Sequence, residues 1–190
     1  MLPAQRMEPW RGMPEHRLIV ECPSFGPGRT IGPRHTCEGD GVSTEIRWRG
    51  APEETRSFVL LVQDLDVPGP ELRLFTWVHW IVYDIPADVM GLPEAIPATP
   101  RLENGARQGV TSFGRPGYGG PCPAWGTHRY RFRLYALGRR LDLEPKGVRK
   151  RDLVQAMRGH ILATGDLVGV ARRRKHAPKR PHAEVGVRAV

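Results

Sequence analysis

Two apolar runs of strand length constrain this chain more than any other feature. Residues 57–64 (SFVLLVQD) and 76–84 (TWVHWIVYD) are nearly continuous in apolar, aromatic and β-branched side chains. Runs this short, bounded by turn residues, read as strands buried on both faces, in the middle of a sheet or sandwich. The 11 residues between them include Asp66, Pro68, Gly69 and Pro70. That composition suits a connection between antiparallel neighbours.

The rest of the chain reads consistently with a sheet. Residues 128–137 (HRYRFRLYAL) alternate, with His128, Tyr130, Phe132, Leu134 and Ala136 on one face and Arg129, Arg131 and Arg133 on the other. Residues 45–49 put Ile46 and Trp48 on one face, and 17–22 and 166–171 read as short strands. One helix is expected, capped by Asp152, with Leu153, Val154, Met157 and Ile161 at helical spacing. Residues 86–118 are proline-rich and aperiodic; so long a loop in a compact domain is usually functional or disordered. Gly and Pro, 22 and 19 residues in 190, argue against a helical bundle and for a mainly β fold.

A chain of this length makes one domain with a real core. The domain is expected at 15–173, between an N-terminal tail, 1–14, and a basic tail, 174–190. No apolar run approaches the roughly 18 residues of a membrane span. Residues 1–14 lack the apolar centre of a signal peptide, so a cytoplasmic location is expected. The formal charge of +9 is uneven: 1–145 hold 17 Arg against 17 acids, and 146–190 hold 12 Lys and Arg against 3 acids. The body is therefore near neutral. Arg172, Arg173, Arg174, Lys175, Lys179 and Arg180 read as a solvated tail or as a peripheral anchor for an acidic membrane. The aromatics a single-strand binder would interleave there are absent, so nucleic acid is not an expected partner.

Two clusters carry chemistry. His79 is a strongly polar residue inside an apolar run, where an unpaired imidazole is costly. If the two runs pair antiparallel, Asp64 lies at the same rim and is its nearest partner; the alternative is a core histidine satisfied by backbone. The second cluster is 117–130 (GYGGPCPAWGTHRY), a glycine- and proline-rich loop leading into a strand. Its bare amides, with His128 and Tyr130 on one face, would suit a phosphate or carboxylate. The alternative is a tight turn with aromatic packing. Cys22, His35 and Cys37 lack a nearby fourth ligand and metal-binding spacing, so no metal or cofactor is expected.

Together these motifs resemble the phosphatidylethanolamine-binding protein family, in its bacterial and archaeal Raf-kinase-inhibitor-like branch. The resemblance rests on Ser24, Phe25, Gly28 and Ile31; on Thr36-Cys37-Glu38-Gly39; and on Asp64-Leu65-Asp66-Val67-Pro68. It rests further on Trp77-Val78-His79-Trp80, on the block from Gly117 to Tyr130, and on the stretch from Ala156 to Leu162. Leu65 and Ala124 stand where the family has proline, and Thr44-Glu45 departs from its S-P-P-L.

The resemblance implies an antiparallel Greek-key β-sandwich with one or two short peripheral helices. It also implies a pocket for phosphate-type anions lined by Asp64, His79, Gly120, Pro121, His128 and Tyr130. There His79 and His128, the Gly120 amide and the Tyr130 hydroxyl would donate to the anion, while Asp64 orients an imidazole or accepts from a ligand amine. A phospholipid head group, nucleotide or phosphoprotein would carry the anion, with a kinase or protease as the inhibited protein target. The alternative function is a hydrolase or phosphoryl-transfer enzyme using the Asp/His pocket. No serine or cysteine nucleophile is positioned for it by motif, so a non-catalytic protein is expected. Because relatives often carry both Cys37 and Cys122 toward the pocket end, a bridge between them is implied as one of two states, reduced thiols being the cytoplasmic default.

Overall fold

The structure, a computed structural model, describes residues 16–173. The expected N-terminal tail, and the basic tail from residue 174 onward, lie outside the described residues. Among the described residues, strands run β1 (His16–Arg17), β2 (Ile19–Glu21), β3 (Ile46–Arg49), β4 (Ser57–Val67), β5 (Phe75–Pro86), β6 (Gly91–Leu92), β7 (Arg107–Gln108), β8 (Thr127–Leu137) and β9 (Ile161–Arg172). A 3-10 turn covers Pro33–His35, and one helix, α1, covers Lys150–Ala156.

Six strands form one sheet in the order β1-β9-β8-β4-β5-β7, and β2-β3-β6 form a second. β4, β5 and β7 are successive antiparallel neighbours, and β8 returns beside β4. That order is a Greek key, so the expected mainly β sandwich with a short peripheral helix is the architecture. The two long apolar runs lie at its centre because both of their faces are covered. Phe58, Leu60, Val62, Trp80 and Val82 fill the space between the sheets with Trp48, Phe132 and Leu134. Val59, Leu61, Ile81 and Tyr83 face the other way, under Leu141, Val148, Leu153 and Met157.

Local departures from the sequence expectation have visible causes. The expected strand at 17–22 is two strands, because the chain changes sheets at buried Leu18: β1 pairs with β9 in parallel and β2 pairs with β3. Gly165 does not precede the last strand but lies inside β9, where a Cβ would fall 2.4 Å from the Leu18 carbonyl oxygen. This glycine permits close approach of two backbones. Asp152 is the third residue of α1 rather than its cap; its carboxylate accepts the Arg149 amide at 2.9 Å, the far half of a capping box. Ile161 belongs to β9, beyond the turn at Gly159, whose φ is +76°. Residues 86–118 are built into the domain through β6, β7 and a buried carboxamide. Gln108 accepts from the Trp80 indole at 2.6 Å and donates to the Pro97 and Thr99 carbonyls at 2.7 Å.

Candidate functional site

A bulge in β5 sets the position of the first candidate imidazole. Val62 pairs with Trp80 and Gln63 with Val78, so His79 is the extra residue at this point of the strand. Val78 and Ile81 both face the helix-covered side, and Trp80 faces the sandwich interior. The bulge turns His79 inward as well, edge-on to Tyr130 at 5.1 Å between ring centroids.

The loop before β8 closes over it. The Gly119 amide donates to the His79 carbonyl at 2.8 Å, and the His79 ring Nδ1–H donates back to the Gly119 carbonyl at 2.6 Å. A carbonyl only accepts, so Nδ1 carries the hydrogen and the neutral ring keeps its lone pair on Nε2. Burial drives the His79 pKa down to about 4, against the raising effects of Gly119 and Asp64.

Asp64 ends its alternation on the interior face, opposite Tyr130 on β8. Its partner is His128, not His79: Asp64 Oδ2 lies 2.7 Å from His128 Nδ1, and Oδ1 accepts the Asp66 amide at 2.9 Å. His128 Nε2 meets the Trp125 carbonyl at 3.1 Å. Both His128 nitrogens therefore face acceptors. The backbone alternative for His79 holds at Nδ1, and neither imidazole has a free donor as it stands. The Tyr130 hydroxyl is buried near the Asp64 carboxylate and the Cys122 backbone but, among the described residues, meets neither at full hydrogen-bond geometry; burial, then the charge of Asp64, raises its pKa above the ordinary phenol value.

Among the described residues, the Gly120 amide likewise makes no hydrogen bond. A Cβ on Gly120 would sit 3.0 Å from the His35 carbonyl oxygen, so a glycine passes most easily beneath residues 35–36. Pro121 accepts the Cys37 amide at 3.0 Å, and Cys37 is bonded to Cys122 with 5.4 Å between Cα atoms. The loop is thus fixed to the 33–39 segment by a covalent bridge. Asp64, His79, His128 and Tyr130 are only 0 to 4% exposed, and Gly120 and Pro121 are buried with them. The structure brings all six candidate residues to one end of the larger sheet.

The rim contains residues that sequence reasoning did not single out. Phe113 lies edge-on to His79 at 5.3 Å and to Trp77 at 5.7 Å. Trp125 lies against Gly69, where a Cβ would fall 2.4 Å from the indole. Leu72 and Leu74 are exposed on the β4–β5 connection, and Phe75 is exposed at the start of β5. Only Gly69 and Gly119 could have marked these places in the sequence, since each is small where an aromatic ring packs on it. Asp66 anchors the connection, receiving both the amide and the guanidinium of Arg129 at 2.7–2.9 Å and Arg73 at 3.0 Å. Burial alone would raise its pKa, but the hydrogen bonds and charge of Arg129, with Arg73, hold it below the ordinary carboxylate value.

Comparison with known proteins covers nearly all of the described chain. The family model described as phosphatidylethanolamine-binding protein matches residues 21–172. The UPF0098 protein of Methanothermobacter thermautotrophicus is 43% identical over 79% of this chain and 95% of its own length. That of Aquifex aeolicus is 41% identical over 79% and 85%. Among solved structures, a phosphatidylethanolamine-binding protein homolog from Chlamydia trachomatis superposes with a TM-score of 0.75 at 38% identity, covering 83% of this chain and 99% of that one. Escherichia coli YbcL, described as a member of the mammalian family, gives 0.71 at 30% identity, covering 84% and 99%.

Proposed function

The chain belongs to the phosphatidylethanolamine-binding protein family, and from that premise we propose that it is a non-catalytic binding protein for phosphate-type anions. The observation that carries the reading is a pair of donors beside the Asp64–His128 pair: the Gly120 amide, which makes no hydrogen bond among the described residues, and the Tyr130 hydroxyl, buried near Asp64 and the Cys122 backbone without full hydrogen-bond geometry to either. Buried polar groups without partners are uncommon, and a ligand oxygen would satisfy them. Asp64 orients His128, whose Nε2–H turns from the Trp125 carbonyl to the anion, while Pro121 walls the site. Cys122 is bonded to Cys37 and so offers no free thiol as a nucleophile, which favours binding over covalent catalysis.

A phospholipid head group, a nucleotide and a phosphoprotein all carry the recognised group. Control of a kinase or protease through it, in the cytoplasm, belongs to the same proposal. Among the described residues no helix is long and apolar enough to cross a membrane. The test is calorimetric titration with inorganic phosphate and phosphoethanolamine, for the native chain and for His128→Ala. The variant is expected to lose about tenfold or more in affinity, as removal of a charge-assisted donor does. Unchanged binding would overturn the site. Turnover of nitrophenyl phosphate or nitrophenyl acetate by the native chain, abolished in His128→Ala, would establish the hydrolase alternative instead.

A further inference from the structure

The six residues at this sheet end do not present donors alone. His79 Nδ1–H is committed to the Gly119 carbonyl at 2.6 Å, and among the described residues Nε2 has no hydrogen-bond partner. A neutral imidazole held in this tautomer can only accept at Nε2. Loop and strand hold the tautomer from both sides, since the Gly119 amide also grips the His79 carbonyl at 2.8 Å. The titratable groups facing the ring are Asp64 from β4 and His128 and Tyr130 from β8; the loop side presents Phe113 and the Gly119 carbonyl. Asp64 is engaged as an acceptor by His128 and by the Asp66 amide. The Gly120 amide and the His79 lone pair therefore ask for opposite partners: one needs an acceptor and the other a donor.

An oxygen placed against that lone pair must carry a hydrogen, or two acceptors are forced together in a desolvated site. Resting on the anion-site reading above, we propose that the preferred ligand is a singly protonated phosphate monoester, whose P–O–H donates to His79 Nε2 while its charged oxygens accept from the Gly120 amide and His128. A phosphodiester carries one charge and no such hydrogen. A fully ionised monoester carries two charges and no hydrogen, and it also approaches the Asp64 carboxylate. Burial reinforces the geometry by keeping the ring neutral at physiological pH.

The experiment compares methyl phosphate with dimethyl phosphate by calorimetry on the native chain. At about pH 6, near the second ionisation of a phosphate monoester, methyl phosphate is expected to bind about tenfold or more tighter than dimethyl phosphate. Above that pH its apparent affinity should fall, approaching about tenfold per unit as the protonated form is depleted. His79→Gln, whose amide can donate or accept, should reduce the preference to about twofold. Because that variant could unfold, a long-range proton–nitrogen NMR spectrum of the native chain gives an independent readout. Hydrogen on Nδ1 and a bare Nε2 are expected, and hydrogen on Nε2 overturns the proposal.

Equal affinity for the two phosphates overturns this inference and leaves the anion site standing, whereas binding of neither removes both. Competition between soluble phosphoethanolamine and vesicles containing phosphatidic acid distinguishes a free monoester from one on a lipid. Either outcome supports the protonated monoester provided that phosphatidylethanolamine vesicles, which carry a diester, bind more weakly.

Discussion

Lowering the pH from 7 to 4.5 should destabilise this protein through His79. In the unfolded chain the ring takes up a proton near its ordinary value of 6.5, whereas in the folded chain burial delays protonation to about 4. Between those values the unfolded state binds more protons, so stability falls as pH falls. The full contribution is present above about 6.5 and is lost on the way down to about 4. Each pH unit inside the window is worth about 1.4 kcal/mol, and the loss from pH 7 to 4.5 integrates to about 2.5 kcal/mol. Asp66 acts outside this window. Its folded pKa lies below 3.8, so its contribution is present above that value and is lost only in stronger acid. Urea unfolding followed by tryptophan fluorescence, at several pH values for the native chain and His79→Gln, isolates the histidine. The variant should be less stable at pH 7, and the gap should narrow by about 2.5 kcal/mol at pH 4.5. Parallel pH dependences in the two proteins would refute the reasoning, because they would mean that His79 takes up its proton equally readily in both states.

Opening the Cys37–Cys122 bridge, whose partners are 85 residues apart, should cost about 4.5 kcal/mol in the chain-entropy model. Comparing Tm with and without reductant checks this, with about 10 °C expected for a chain of this size. Gly165→Ala should destabilise by about 1–3 kcal/mol, read from denaturant midpoints, because its methyl meets the Leu18 backbone rather than a yielding side chain. Asp152→Ala should cost about 1 kcal/mol by removing the acceptor for the Arg149 amide, and circular dichroism should show fraying of α1 without loss of the sheets.

The strands that the sequence made legible are those whose partners matter least to their identity. Residues 57–64 and 76–84 are apolar throughout, so any covered sheet would accept them, and β8 announces its faces by alternating Arg with aromatic and aliphatic residues. The motif residues could likewise be gathered from spacing and resemblance, and they do meet at one end. The pairing inside that cluster could not. Asp64 and His79 lie on hairpin-connected neighbours, yet the bulge turns the ring toward Gly119, and the carboxylate is left to a histidine 64 positions away. Nor does composition reveal which glycines hold an aromatic ring: Gly69 and Gly119 look like the turn glycines around them, and only packing shows Trp125 and Phe113 against them. The sequence pattern puts the cap at Asp152, three residues late, because an acidic residue serves a helix N-terminus equally well from the third position as from the cap.

The extra residue in β5 gives the fold and the site different sensitivities to the length of the chain. The sheet asks of this segment only that large apolar groups arrive on both faces, a demand that many sequences meet in either phase. The imidazole asks for a count. Losing one residue at the bulge would restore alternation locally and carry position 79 to the helix-covered side, with Trp80 still in register against Val62. A deletion there behaves like a frameshift confined to one strand end: the sandwich reads on unchanged, while the ring leaves Gly119 and Tyr130. The site is thus specified by one insertion in a ladder that shifts register at two other places, and a single-residue gap at this point separates a descendant that keeps the architecture from one that keeps the chemistry.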